Sequence, residues 1–160
     1  MSAAAANSVA QHLQRRFKKA LNDRNLEECL ASYYQMEKLN SKRSLVDSNS
    51  NYSKTVVNVT DSSSLIELLV KDNRVKDATN VAESILASDA YPIPKIFRFL
   101  LNRLASNGEV ESMSRFGRYL TPRIKKEVSF DNRLCNAYLA AGRGGEYLHM
   151  LQREVDDILR

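Results

Sequence analysis

The sequence predicts an all-α chain, an α-solenoid of about four helix-turn-helix hairpins, on three observations. The first is a recurring apolar stripe. Val75, Ala78, Ala82 and Ile85 share one helix face, and a step of 35 leads to Val110, Met113, Gly117 and Leu120. A step back of 49 leads to Leu26, Cys29, Tyr33 and Met36, while a step of 69 reaches Gly144, Tyr147, Leu151 and Glu154, where the match fades. The second is that the preceding segments repeat in register: Leu65, Ile66 and Leu69, then Leu100, Leu101 and Leu104, then Leu134, Cys135 and Tyr138. Arg16, Phe17 and Ala20 form a weaker first copy. The third is a short polar break between each pair of stripes: Asn22-Asp23-Arg24-Asn25, Asp72-Asn73-Arg74, Ser106-Asn107-Gly108 and Gly142-Arg143-Gly144. Such residues end one helix and cap the next. A hairpin of about 34 to 35 residues cannot bury its own apolar face, so neighbours must stack.

The elements follow in order. The first hairpin spans 9–40. The 49-residue step exceeds one repeat, and the excess falls in 42–61, a Ser/Asn-rich stretch that reads as an inserted loop, with a short strand at Thr55 to Val59 as the alternative. The second hairpin spans 62–93, and Ser64 with Glu67 has the spacing of a capping box at its start. The third, 94–129, opens on Pro94, well suited to a first helical position, and closes on the basic linker Pro122-Arg123-Ile124-Lys125-Lys126. That linker reads equally as a solvated loop or as an accessory phosphate contact. The fourth, 130–160, is degenerate or terminal: its last helix runs to Arg160 without a Gly or Pro stop, as in a piece of a larger array or a cap on the stack.

Composition narrows the function classes. The chain has 160 residues, 43% hydrophobic and 27% charged, with 5 Gly and 3 Pro. That suits one domain or a short repeat array and excludes collagen-like or linker-like sequence. No apolar run reaches the roughly 18 residues of a membrane span. Two cysteines, Cys29 and Cys135, make no disulfide framework and point to a reducing compartment. Met1 to Asn22 lacks acidic residues and reads as a helix of the folded part, with an organellar presequence as the alternative. The expectation is a protein that is not an enzyme and needs no cofactor. His12 and His149 fall in different hairpins, and Gly142, Gly144 and Gly145 lack the Lys-Ser/Thr of a phosphate-cradling loop. Asn51-Tyr52-Ser53 and Asn58-Val59-Thr60 match glycosylation acceptors by chance. Tyr33, Phe97, Phe116 and Tyr138 sit at core spacing, whereas Tyr34, Tyr91 and Tyr119 are freer.

The repeat length and the turns Asp72-Asn73-Arg74-Val75-Lys76-Asp77-Ala78 and Ala141-Gly142-Arg143 resemble the pentatricopeptide repeat (PPR), whose units carry a small-Gly-Arg turn, an aliphatic residue, acidic positions and a small residue. Leu65-Ile66-Glu67-Leu68-Leu69 matches the apolar part of the PPR first helix, and the resemblance runs from about Gln11 to Arg160 outside the insertion. The tetratricopeptide repeat is the competing family; Asn25-Leu26-Glu27-Glu28-Cys29-Leu30 suits it, but its first-helix Trp is missing. The PPR resemblance implies single-stranded RNA as ligand, a mitochondrial location and a role in mRNA stability or processing, with another RNA-binding protein as an implied partner. It also places Gln14, Ser63, Arg98 and Asn132 where one residue per repeat faces a base; Ser63 and Asn132 suit that chemistry and Gln14 and Arg98 do not. At the companion place Ile93 and Glu127 stand where Asp or Asn is usual, so a one-repeat-one-base code fits poorly.

Charge follows the repeat. The first helices, read as about 9–22, 64–71, 94–105 and 131–140, hold Arg15, Arg16, Lys18, Lys19, Lys71, Lys95, Arg98, Arg103 and Arg133 against Glu67 and Asp131. The second helices, about 25–38, 74–87, 108–120 and 144–159, hold six bases and eleven acids. First helices line the inner surface of such a solenoid, where bases attract a phosphate backbone in a salt-dependent way. The expected RNA-binding residues are therefore Lys71, Lys95, Arg98, Arg103 and Arg133 for charge, with Ser63 and Asn132 for bases. No metal site, small-molecule substrate or membrane contact is expected. The alternative is a protein–protein interaction scaffold of the helical-repeat type.

Overall fold

The computed structural model describes residues 3–46 and 58–160, and every regular element among them is helical. The helices are α1 (Ala3–Asn22), α2 (Leu26–Val46), α3 (Val59–Lys71), α4 (Val75–Ala87), α5 (Pro94–Ser106), α6 (Val110–Gly117), α7 (Pro122–Glu127), α8 (Phe130–Ala140) and α9 (Gly144–Leu159). No described helix is long and apolar enough to cross a membrane.

One turn recurs inside all four hairpins, and Asp89 closes α4 the same way, with the Ala90 amide 3.2 Å from the Ile85 carbonyl. Arg24, Asn73, Gly108 and Gly142 all adopt left-handed backbone, with φ of 55°, 60°, 69° and 70°. After each, an amide bonds back to the preceding helix: Asn25 N to Ala20 O at 2.9 Å, Arg74 N to Leu69 O at 2.8 Å, Glu109 N to Leu104 O at 2.9 Å and Arg143 N to Tyr138 O at 2.8 Å. This is the Schellman closure, which satisfies carbonyls that a helix end leaves open and reverses the chain in few residues. A β-carbon at Gly108 would lie 3.0 Å from the Ala141 amide nitrogen, so glycine there also lets the next turn approach.

The stripes lie where their spacing puts them. Ala78, Ala82, Met113, Cys29 and Met36 are fully buried, as are Leu65, Ile66, Leu69, Leu100 and Leu101. Tyr33, Phe97, Phe116 and Tyr138 are core residues, the Phe97 and Phe116 rings meeting tilted with centroids 5.7 Å apart. Helix α1 packs on α2, α3 on α4, α5 on α6 and α8 on α9, while α1, α3, α5 and α8 touch in series. Pro94 opens α5.

Several boundaries differ from expectation. Helix α3 starts at Val59, not Ser64: the Asn58 carboxamide accepts from Thr60 N at 2.8 Å, and the Ser64 hydroxyl donates to the Thr60 carbonyl. The stretch 42–61 is therefore helical at both ends, with 47–57 outside the described residues; there too fall Thr55, Val56 and Val57 of the expected strand, while Asn58 caps α3 and Val59 is helical. The Pro122–Lys126 linker is the short helix α7, which Thr121 caps by accepting from Ile124 N at 3.3 Å.

The far end is unlike the interior. Leu139, Leu148, Leu151 and Val155 are 63%, 67%, 37% and 48% exposed. Their repeat equivalents Ala105, Thr79, Ala82 and Leu86 are buried.

Candidate nucleic-acid interface

The helices α1, α3, α5 and α8 carry nine bases; starting α3 at Val59 adds Asp61 to their acids Glu67 and Asp131. Four of the bases converge. A groove of about 470 Å³ between α3, α5 and α8 is lined by Lys71, Lys95, Arg98 and Arg133, with Ile93, Ile96 and Phe99 as apolar surface and Asn102 and Glu67 beside them. Three different helices supply the cations because α5 lies between α3 and α8. On α5, Lys95, Arg98, Phe99 and Asn102 fall three or four residues apart, on one side of the helix.

The electrostatics of the groove are uneven. Lys71 is already neutralised by Glu67, its Nζ 2.8 Å from the carboxylate. Arg98 and Arg133 form no ion pair among the described residues. Arg98 lies 3.5 Å from the Glu127 carbonyl, while Arg133 donates to the Val128 carbonyl and, at 2.7 Å, to Asn102 Oδ1. Burial pulls the Arg133 guanidinium below its usual value, and the nearby Arg98 charge adds to that. Two like charges held together without a carboxylate leave room for an anion to relieve both.

A second groove of about 580 Å³ runs between α1 and α3, lined by Lys18, Leu21, Asn22, Arg24, Asp61, Ser64, Glu67, Leu68 and Lys71. Its bases face two carboxylates, so its field is weaker. The Lys71–Glu67 pair borders both grooves.

Three expected site residues do not join the cluster. Ser63 is fully buried, and its hydroxyl accepts from the Ile93 amide at 3.0 Å, which fastens the start of α5 to α3. It has no surface for a base. Arg103 donates to Asn73 Oδ1 at 3.2 Å, at the α3–α4 turn and away from the groove lining. Asn132 is exposed in the first turn of α8 but does not line the groove. Conversely, Phe99, Ile96 and Asn102 line it and were not singled out in the sequence; their signal was the three- and four-residue spacing from Arg98 and Lys95.

The opposite layer uses its arginines differently. Arg74 reaches Glu27 of α2 and Asp77, and Arg143 reaches Glu111 of α6 at 2.6 Å and Glu146 at 2.7 Å. Hydrogen bonding to Arg143 holds the Glu111 and Glu146 carboxyls below the ordinary carboxylate value. Among the described residues, no group of three His, Cys, Asp or Glu is placed to hold a metal ion. Comparison with family models, with curated proteins and with solved structures found no match to this chain.

Proposed function

We propose that this chain is a PPR-like helical-repeat segment that binds single-stranded RNA along the groove between α3, α5 and α8. The repeated Schellman hairpins and the series α1, α3, α5, α8 support a solenoid whose first helices share one side. The observation that carries the ligand is the Arg98–Arg133 pair, two close guanidinium groups with no carboxylate partner among the described residues. Phosphates answer that imbalance, and half-buried Phe99 beside them gives a base an apolar surface. Lys95 adds charge at the groove edge and Lys71 joins it through an exposed, easily exchanged ion pair. The resemblance to PPR proteins makes the biological role mitochondrial mRNA stability or processing, without catalysis.

The decisive experiment is a salt titration of binding to a short single-stranded RNA. Four engaged cations correspond to a log–log slope of about −3. No binding at low salt would overturn the reading.

One observation favours the scaffold alternative: the apolar stripe of Leu148, Leu151 and Val155 on α9, with Leu139 beside it, lies open at positions that inner hairpins cover. A pull-down that captures a protein through this stripe, from an RNA-free lysate, would favour it over RNA.

A further inference from the structure

The geometry points to a guanine seat formed by Phe99 and Asn102 in the groove between α5 and α8, an inference that rests on the RNA reading above. Phe99 is half-buried against the core and lines the groove with Ile96 and the cations, so its ring is held while part of it stays open to a ligand. A planar base can stack there, as bases do on aromatic side chains in single-strand binders.

Asn102 supplies direction. Its Oδ1 receives the Arg133 Nε–H at 2.7 Å. A guanidinium can only donate, so the oxygen is fixed on that side and the amide NH₂ is what Asn102 offers to a ligand. The other polar groups free in the groove are donors too: the Lys95 ammonium and the remaining N–H groups of Arg98 and Arg133. The acceptor side chains of the lining are Asn102, whose Oδ1 Arg133 takes, and Glu67, whose Oε1 Lys71 takes and which stands on α3, outside the two helices of the seat. A seat made of donors selects a base edge with adjacent acceptors and no donor. The Hoogsteen edge of guanine, N7 with O6, is such an edge; adenine puts an amino group beside N7, and uracil alternates acceptor and donor. Guanine also has the larger stacking surface than a pyrimidine. The seat lies on the second and third turns of α5, not at the place where the repeat resemblance would put a base-reading residue, which Arg98 occupies.

The test is fluorescence anisotropy with a short oligouridine carrying one central guanine, adenine or cytosine, at low salt. The guanine oligonucleotide should bind about tenfold tighter than the others. Replacing that guanine by 7-deazaguanine, which lacks only the N7 acceptor, should remove most of the preference with no change to the protein. Asn102→Ala, an exposed position, should level the three oligonucleotides while the salt slope stays as in the parent chain. Equal binding of all three by the parent chain, or a preference for cytosine, whose O2 and N3 are also adjacent acceptors, would overturn the seat and leave RNA binding standing. Absence of binding to every oligonucleotide would instead overturn the RNA reading itself.

Discussion

Two pairs of arginines in this molecule have the same side chain and opposite circumstances. Arg74 and Arg143 stand at the starts of α4 and α9, and each is clasped by two carboxylates, one on its own helix and one on an earlier second helix. Arg98 and Arg133 lie on α5 and α8, beside one another, and among the described residues they find carbonyl and carboxamide oxygens but no carboxylate. The first pair joins successive hairpins. The second keeps its charge available. A net charge of +5 averages over both and reveals neither; what matters is whether a guanidinium has been given its anion by the chain or left to obtain it from outside.

The strongest way to break this contrast is to reverse the available charge. Lys95→Glu with Arg98→Glu, both on the solvent side of α5, should lower RNA affinity on the order of 10- to 100-fold at low salt and flatten the salt slope to roughly −1, measured by anisotropy. A loss below threefold, with helicity retained, would mean that this face is not the dock. Next in size is Arg133→Lys. Charge is kept but the fork to Asn102 and the Val128 carbonyl is lost, so affinity should fall by about threefold with the salt slope unchanged. An affinity that does not fall would show that Arg133 meets phosphate as a simple charge and that its fork to Asn102 and Val128 contributes nothing. The smallest effect belongs to the clasped pair. Arg74→Ala with Arg143→Ala should leave RNA affinity as it was and lower Tm slightly, because the ion pairs are exposed.

The clasped pair also sets a pH dependence. Glu111 and Glu146 have carboxyl groups depressed in the folded state by Arg143. Their contribution is present above the unfolded carboxyl value of 4.5 and is lost as pH falls through the lower folded value. Thermal melts from pH 6 down to pH 3 should therefore drop less steeply in the Arg143→Ala chain than in the parent. Identical acid profiles would show that this ladder carries no stability.

The hairpins were legible because burial and turn chemistry are local. The steps of 35 and 49 located the core stripes at Cys29, Ala78 and Met113, and the polar breaks located Arg24, Asn73, Gly108 and Gly142, though not the left-handed Asp89 and Ser129. Lys71, Lys95, Arg98 and Arg133 were legible as a group for the same reason: each sits on a first helix, and those helices touch in series. Ser63 was misjudged because a short polar side chain on a helix gives no sign of whether a neighbouring amide will claim it; here the Ile93 N–H does, thirty positions away. Arg103 likewise spends its guanidinium on Asn73 across two hairpins. The start of α3 was missed because Asn58 caps from within a polar stretch that resembles loop sequence, and α7 because six residues are too few to show a period. The interlocking second-helix charges did leave a trace. Where Arg74 faces Glu27 and Arg143 faces Glu111, the equivalent positions of the middle step hold Glu109 and Lys76, the same two signs exchanged.

The four closing turns have one more consequence, for the kinetics of isotope labelling. The amides of Asn25, Arg74, Glu109 and Arg143 belong to surface turns, yet each is bonded to a carbonyl five positions back in the preceding helix. Their deuterium uptake should be slow, set by the opening of the hairpin that owns each one and not by loop fluctuation. Each hairpin thus contains its own clock, and comparing the four would rank the units by local opening energy without any substitution.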